Sequence, residues 1–340
     1  MLTRQSITPG SECEIIAGLF YSGEIVTLTG GFNVAKTPLL RDWAFCVATG
    51  TPWCGRKTEQ RPVLLLAHES TERKVVPDWE RMALHKKVPA PAIPDQFQIY
   101  MEAGSLDTPA NVEIIDVIAK SLNERLEWLR AKVIERPTSL VIIDPFDMFF
   151  RVKKNDAQAI LFVYHWCRML RRVAPLVTFI FAFNMRKRPR IGGYKMPELI
   201  EDPHGWLEEA SGAIEIQSRS DARLGIAFKG SAEEGIRVLH GTRREDTMEP
   251  ILLKSIVVGE SADGKPLMAG FEQVDIASLD VAEVLAPKQY ETWMELDTHF
   301  TFDDIKRKST SRAAAHRLRE RLIANHMIRE LEKDTYEKLQ

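Results

Sequence analysis

At 340 residues, with 46 lysines and arginines against 48 aspartates and glutamates, the chain has a formal charge of −2, so any nucleic-acid contact must be a local basic patch. Its hydrophobic content of 44% and charged content of 28% are those of a globular chain, long enough for one large domain plus a small one or for two of ordinary size. Leu140 to Ile143 and Leu176 to Phe183, the longest apolar runs, fall short of a membrane span, the polar start Met1 to Glu14 lacks a signal-peptide core, and Cys13, Cys46, Cys54 and Cys167 have no metal-type spacing; the expectation is a cytoplasmic protein with free thiols and no membrane partner.

In chain order, Met1 to Ser22 is a polar lead-in whose Ile15, Ile16, Leu19 and Phe20 predict one short packed element. Gly23 to Leu40 then reads as a strand (Ile25, Val26, Leu28), a glycine turn and a helix running on through Trp43 and Val47. Within it, Gly30, Gly31, Phe32, Asn33, Val34, Ala35, Lys36 and Thr37 fit the phosphate loop GxxxxGK[ST], with Ala35 in place of the second glycine. Backbone amides and the positive end of the helix face a polyphosphate, Lys36 reaches its outer phosphates, Thr37 offers a hydroxyl to Mg²⁺, and Pro38 is tolerated in the first helical turn. If position 35 requires a positive φ, its Cβ costs about 1 kcal/mol. The same residues would also serve as a plain turn between strand and helix.

Val63 to Ala67 is a continuous apolar strand that ends in His68-Glu69-Ser70 and is expected beside the phosphate-loop strand. Glu69 is the candidate base for a water attacking a γ-phosphate; it could equally be an acidic residue opening a helix capped by Ser70. Phe97 to Tyr100 predicts a strand and Val112 to Val133 a helix. Ser139 to Pro145 is an apolar strand ending in Asp144, the Walker B pattern that holds Mg²⁺. After a helix at Ala157 to Arg172, the strand Leu176 to Phe183 delivers Asn184, a side chain placed to sense a γ-phosphate.

The polar segment Met185 to His204 carries Arg186, Lys187, Arg188, Arg190 and Lys195 and is too long for a tight connection. It reads as a DNA-contacting loop, as a carrier of a finger (Arg186 or Lys187) reaching a neighbouring subunit's nucleotide, or as a solvated basic insertion. Gly212 to Gln217, Arg223 to Phe228, Gly235 to His240 and Ile251 to Val258 predict short strands closing the sheet with an antiparallel edge. Arg243 and Arg244 on one of their turns are further finger candidates. Residues 259–285 read as a hairpin and linker, which sets an ATPase-type domain at 1–258 and a terminal one at 286–340.

That last stretch predicts helices at Lys288 to Leu296, Phe302 to Lys306 and Ser311 to Asn325, then a β-wing around Met327 to Tyr336. Three helices and a wing make a winged helix-turn-helix. The third helix buries Ala314, Ala315, Leu318 and Leu322 and shows Arg312, His316, Arg317, Arg319 and Arg321; these, with Lys306 and Arg307, suit DNA phosphates and guanines, or else form the charged face of a small protein-binding bundle.

GEIVTLTGGFNVAKT, the strand ending in LAHES, LVIIDPFDMF and the strand ending in FAFN together resemble the RecA-type ATPases of the plasmid RepA and DnaB-helicase branch, over Gly23 to Lys254. The resemblance implies an α/β fold: a RecA-like P-loop NTPase core with a mostly parallel sheet, here with a small C-terminal winged-helix domain. It also implies ATP and Mg²⁺ as cofactors, a homo-oligomeric ring, commonly a hexamer, and DNA as partner, single-stranded through the ring and duplex through the winged helix. Lys36, Thr37, Glu69, Asp144 and Asn184 take the phosphate, metal, base, Walker B and sensor roles. The chain departs from that branch at Ala35, at Phe183-Asn184 where a histidine pair is usual, and at Glu208 to Gly212, where an arginine is. The expected activity is Mg²⁺-dependent ATP hydrolysis coupled to DNA binding in a replication-initiation or helicase-type motor of a mobile element. The alternatives are an ATP-switched DNA-binding regulator with little turnover and a RadA-like recombination mediator.

Overall fold

A computed structural model describes residues 13–68, 72–88, 97–101, 112–114, 121–153, 155–185, 197–209, 216, 218–229, 235–243, 246–261, 264, 266–274, 287–324 and 327–339. The chain forms two compact units, residues 1–228 with 237–272, and residues 229–236 with 273–340.

The lead-in forms a hairpin, β1 (Glu14–Ile16) and β2 (Phe20–Tyr21), with Ile15, Ile16, Leu19 and Phe20 all buried. The phosphate-loop strand is β3 (Ile25–Gly30), followed by α1 (Lys36–Thr49). Next come β4 (Val63–Ala67), α2 (Glu72–His85), β5 (Phe97–Met101), β6 (Val112–Ile114), α3 (Leu122–Glu135) and β7 (Leu140–Asp144). Then follow α4 (Phe146–Phe150), α5 (Ala157–Leu170), β8 (Thr178–Asn184), α6 (Pro203–Glu208), β9 (Ala222–Phe228), β10 (Ile236–Arg243), β11 (Asp246–Thr247), β12 (Ile251–Glu260) and β13 (Pro266–Gln273).

Among the described residues these strands make an eleven-stranded sheet in the order β13-β12-β10-β9-β3-β8-β7-β4-β5-β6, with β11 paired to β10. From β9 to β6 every pairing is parallel, while β10 meets β9 and β11 antiparallel. The chain is therefore a mixed α/β protein with a mostly parallel sheet. Helices cover both faces, which is why β3, β4 and β7 are buried along their whole length. Val26, Leu28, Leu65 and Ile142 pack with Leu40, Trp43 and Val47 of α1 and Trp79 of α2. On the other face Ile25, Leu64, Ile143 and Phe181 pack with Leu129 of α3 and Val163 of α5.

Four expectations change. The strand β4 is not beside β3, because β8 and β7 lie between them. Val112–Ile114, read as the start of a helix, is instead the edge strand β6, and the helix begins at Leu122, where Ser121 and Glu124 form a capping box. The strand β9, expected in an antiparallel edge, runs parallel to β3. The hairpin β12-β13 belongs to the main sheet, so the first unit extends to Glu272 and not to 258. The expected strand Gly212 to Gln217 lies outside the described residues, apart from Ile216.

The second unit has α7 (Pro287–Met294), β14 (His299–Thr301), α8 (Phe302–Lys308), α9 (Arg312–Ala324), β15 (Ile328–Glu332) and β16 (Thr335–Lys338). Its three strands order as β14-β16-β15, both pairings antiparallel. Thr301 and Asp304 cap α8 reciprocally, and Trp293, Phe300, Ile305, Leu318, Leu322 and Tyr336 form its interior. The strand β14 is absent from the sequence reading.

One buried carboxylate ties the first unit together. Asp42 of α1 is fully buried and takes hydrogen bonds from Trp53 Nε1 (3.0 Å) and the Phe271 amide of β13 (3.1 Å), with Lys86 Nζ at 3.0 Å. Asp42→Ala strips the Lys86 ammonium of its counter-charge and should destabilise the first unit by about 3–5 kcal/mol. Urea unfolding checks this; a loss under about 1 kcal/mol would show that the cluster relaxes without it.

Candidate nucleotide site

The parallel register brings four strand ends into one row. Gly30 of β3 stands opposite Asn184 of β8, and Ala67 of β4 opposite Asp144 of β7. The Met185 amide bonds to the Gly30 carbonyl (3.0 Å) and the His68 amide to the Asp144 carbonyl (3.0 Å). Ligands of open α/β sheets bind at these carboxyl ends.

The loop leaves β3 at a position where only glycine fits. A Cβ on Gly30 would lie 2.8 Å from the Ile226 carbonyl oxygen and 2.9 Å from Val34 Cγ2. Gly31 has ordinary room, its nearest contact being Val34 Cγ1 at 3.8 Å. Asn33 (φ 60°) and Ala35 (φ 68°) are left-handed, so the Cβ at position 35 does carry the strain that a glycine would avoid, about 1 kcal/mol. Asn33 tolerates this region better than most residues. Ala35 supplies no side-chain cap, so the first turn of α1 keeps its amides and the positive end of its dipole for a ligand. Phe32 is 67% exposed at the tip of the loop and Val34 is tucked under it.

Lys36 and Thr37 meet the loop and the end of β7. Lys36 Nζ donates to the Gly30 (2.9 Å) and Gly31 (2.7 Å) carbonyls at the mouth of the loop. The Thr37 hydroxyl donates to Asp144 Oδ2 at 2.6 Å, joining the start of α1 to the end of β7. Burial pushes the Asp144 carboxyl above the usual carboxylate range, while the Thr37 hydrogen bond and the Arg41 and Lys36 charges draw it back. A desolvated carboxylate beside a hydroxyl is a donor pair that suits a divalent cation, so Thr37 and Asp144 fit Mg²⁺. Behind them Arg41 pairs with Asp78 of α2, which also takes Arg81.

Other predicted residues stand elsewhere. Glu69, Arg186, Lys187 and Arg244 lie outside the described residues. Arg243 is engaged within its own chain: it pairs with Glu24 at 2.9 Å, donates to the Leu19 carbonyl and lies 4.0 Å over the Tyr21 ring. Glu24 precedes β3, so this arginine is tied at the end of that strand remote from the loop.

In the second unit Lys306 pairs with Asp303 and Arg307 with Asp304. Arg319 lies 5.6 Å from the Phe302 and Tyr336 rings, and the His316 ring packs tilted against Phe302 at 4.5 Å. These four are thus engaged within the unit, whereas Arg312 and Arg317 are exposed.

Two residues next to the site escaped the sequence reading. Arg237 of β10 donates from Nε to the Val34 carbonyl at 3.0 Å, and nothing local in its strand marks it. His68 is buried against Phe149, with Nε2 unpartnered.

The AAA_25 family, an AAA domain, matches residues 4–182. A KaiC-like protein from the hyperthermophilic archaeon Pyrococcus horikoshii OT3 is a similar solved structure, 14% identical, with 77% of this chain and 94% of that one covered and a TM-score of 0.45. A second similar solved structure is an ATPase domain, also 14% identical, with 75% and 86% covered and a TM-score of 0.47. No protein of curated function matches the sequence.

Burial, with the Arg125 and Arg151 charges, pushes the His68 imidazole down to about 4 from its ordinary 6.5. The unfolded chain therefore takes a proton near pH 6.5 that the folded chain refuses until about pH 4, and stability falls across that window. Between pH 7 and pH 5 His68 should remove about 2 kcal/mol. His68→Gln should flatten this part of the urea-denaturation profile, and equal slopes in parent and variant would contradict it.

Proposed function

The chain belongs to the AAA_25 family of AAA domains and is by that membership a P-loop ATPase, and from this premise we propose that it hydrolyses ATP with Mg²⁺ and couples the cycle to DNA. The observation that carries the proposal is the 2.6 Å contact between Thr37 and Asp144 beside a loop that turns through two left-handed residues. Lys36 offsets charge on the outer phosphates, and Thr37 with Asp144 would hold Mg²⁺. When bound, Mg²⁺ neutralises charge on the transferring phosphoryl group. Glu69 accepts the proton of the attacking water. Asn184, level with Gly30, donates its amide to the γ-phosphate. The reading includes a RecA-like homo-oligomeric ring, a hexamer by resemblance, with Arg186, Lys187 or Arg244 as the finger supplied to a neighbour.

Lys36→Ala should keep the fold and lose ATP turnover by about 10²–10³-fold, the scale of a lost charge-stabilising donor. Turnover equal to the parent's would place the site elsewhere. A second reading is favoured by the strained Ala35 and by the capture of Arg243 within its own chain: a nucleotide-switched DNA binder with little turnover. Strand unwinding by the parent supports the motor; ATP-dependent DNA affinity without unwinding supports the switch.

We read the second unit as a winged helix-turn-helix that docks duplex DNA, in a replication-initiation or helicase-type protein of a mobile element. Its helices, its three-stranded sheet and the exposed Arg312 and Arg317 on α9 support this. Replacing both arginines by alanine should weaken duplex binding about uniformly across sequences and lower the salt slope by about 2 if both meet phosphates. An unchanged slope would reassign that face to a protein partner.

A further inference from the structure

Arg237 is 9% exposed, and a buried guanidinium needs every contact it can make. Besides the Val34 carbonyl, it donates through Nη1 to Ser255 Oγ of β12 at 2.8 Å. It lies 5.0 Å from the Phe228 ring centre and 5.9 Å from that of Phe271. Three neighbouring strands, β9, β12 and β13, thus fix a cation whose Nε hydrogen bond goes to the phosphate loop. Lysine could not reproduce this, because only a planar fork can donate in two directions while its faces rest on rings.

The carbonyl it holds is a sensitive one. Val34 sits between Asn33 and Ala35, the two left-handed residues of the turn. A trans peptide is planar, so its C=O and N–H point in opposite directions. Holding the Val34 oxygen on one side sets the Ala35 amide on the other. From this geometry we infer that Arg237 is a positioning residue for the phosphate loop, holding the Val34–Ala35 peptide in its anion-binding orientation against the strain that alanine brings to position 35. The inference rests on the nucleotide reading above for its effect on affinity, but not for its effect on the loop itself.

The test compares the full chain with Arg237→Lys, with and without Ala35→Gly. In nucleotide-free protein, the conformational-exchange contribution to amide ¹⁵N relaxation at residues 33–37 should rise about tenfold in Arg237→Lys, the size expected for losing a charged hydrogen bond, while β3 and β8 stay rigid. The dissociation constant of a fluorescent ADP should rise by a similar factor. Adding Ala35→Gly should win back at least about threefold of it, because glycine adopts the turn without strain; a merely structural arginine would give no such rescue. Exchange and affinity both within about twofold of the parent, or no recovery with glycine, would overturn the inference. If Arg237→Lys fails to fold, Ser255→Ala removes one anchor of the guanidinium and should give the same pattern at about threefold. A parent that binds no ADP overturns the nucleotide reading instead, and loop exchange, measured without ligand, still decides the role of Arg237.

Discussion

The first unit depends on a turn that L-residues resist. Between the buried strand β3 and the buried helix α1, Asn33 and Ala35 are forced through the left-handed region. The cost at Ala35 is about 1 kcal/mol. Against it stands the burial of Leu39, Leu40, Trp43, Phe45 and Val47 on the helix that follows, at about 1.5–3 kcal/mol for each large side chain. Packing therefore wins, and the loop takes whatever shape the helix and strand demand. Gly30 is needed because the Ile226 backbone is already in contact; Gly31 is not under that constraint.

Three buried charges around α1 are each answered from a different element. Asp42 of α1 meets Lys86 beyond α2, Arg41 meets Asp78 of α2, and Asp144 of β7 meets Thr37 of α1. Such pairs add little net stability against apolar packing but strongly penalise any arrangement that separates them. Helix α1 is thereby held in one register against its neighbours, which the Thr37–Asp144 contact requires.

Much of this could be read directly from residues. The strands β3, β4, β7 and β8 announce themselves because both faces are covered and most positions are apolar, and the loop and Asp144 follow from their spacing. What could not be read is order across the sheet: nothing in Val63 to Ala67 says that two strands separate it from β3, since neighbours are chosen by crossover geometry and not by local composition. Val112 to Ile114 misled because three apolar-edged residues before a helix fit its period as well as a strand's. Arg319 looked like an exposed basic residue; its rings come from Phe302 and Tyr336, each about 17 positions away. Arg237 is more remote still, 203 positions from the carbonyl it serves.

That separation bears on what the smallest working piece of this protein is. The AAA-domain match ends at residue 182 and the parallel part of the sheet at Phe228, so a truncation at either point would retain the phosphate loop and the strand that ends in Asp144. Neither piece would contain the guanidinium on Val34, nor the β13 amide that anchors Asp42. Both contacts are included only once the chain runs past the hairpin to Glu272, so motif content alone is a poor guide to where such a chain can be cut.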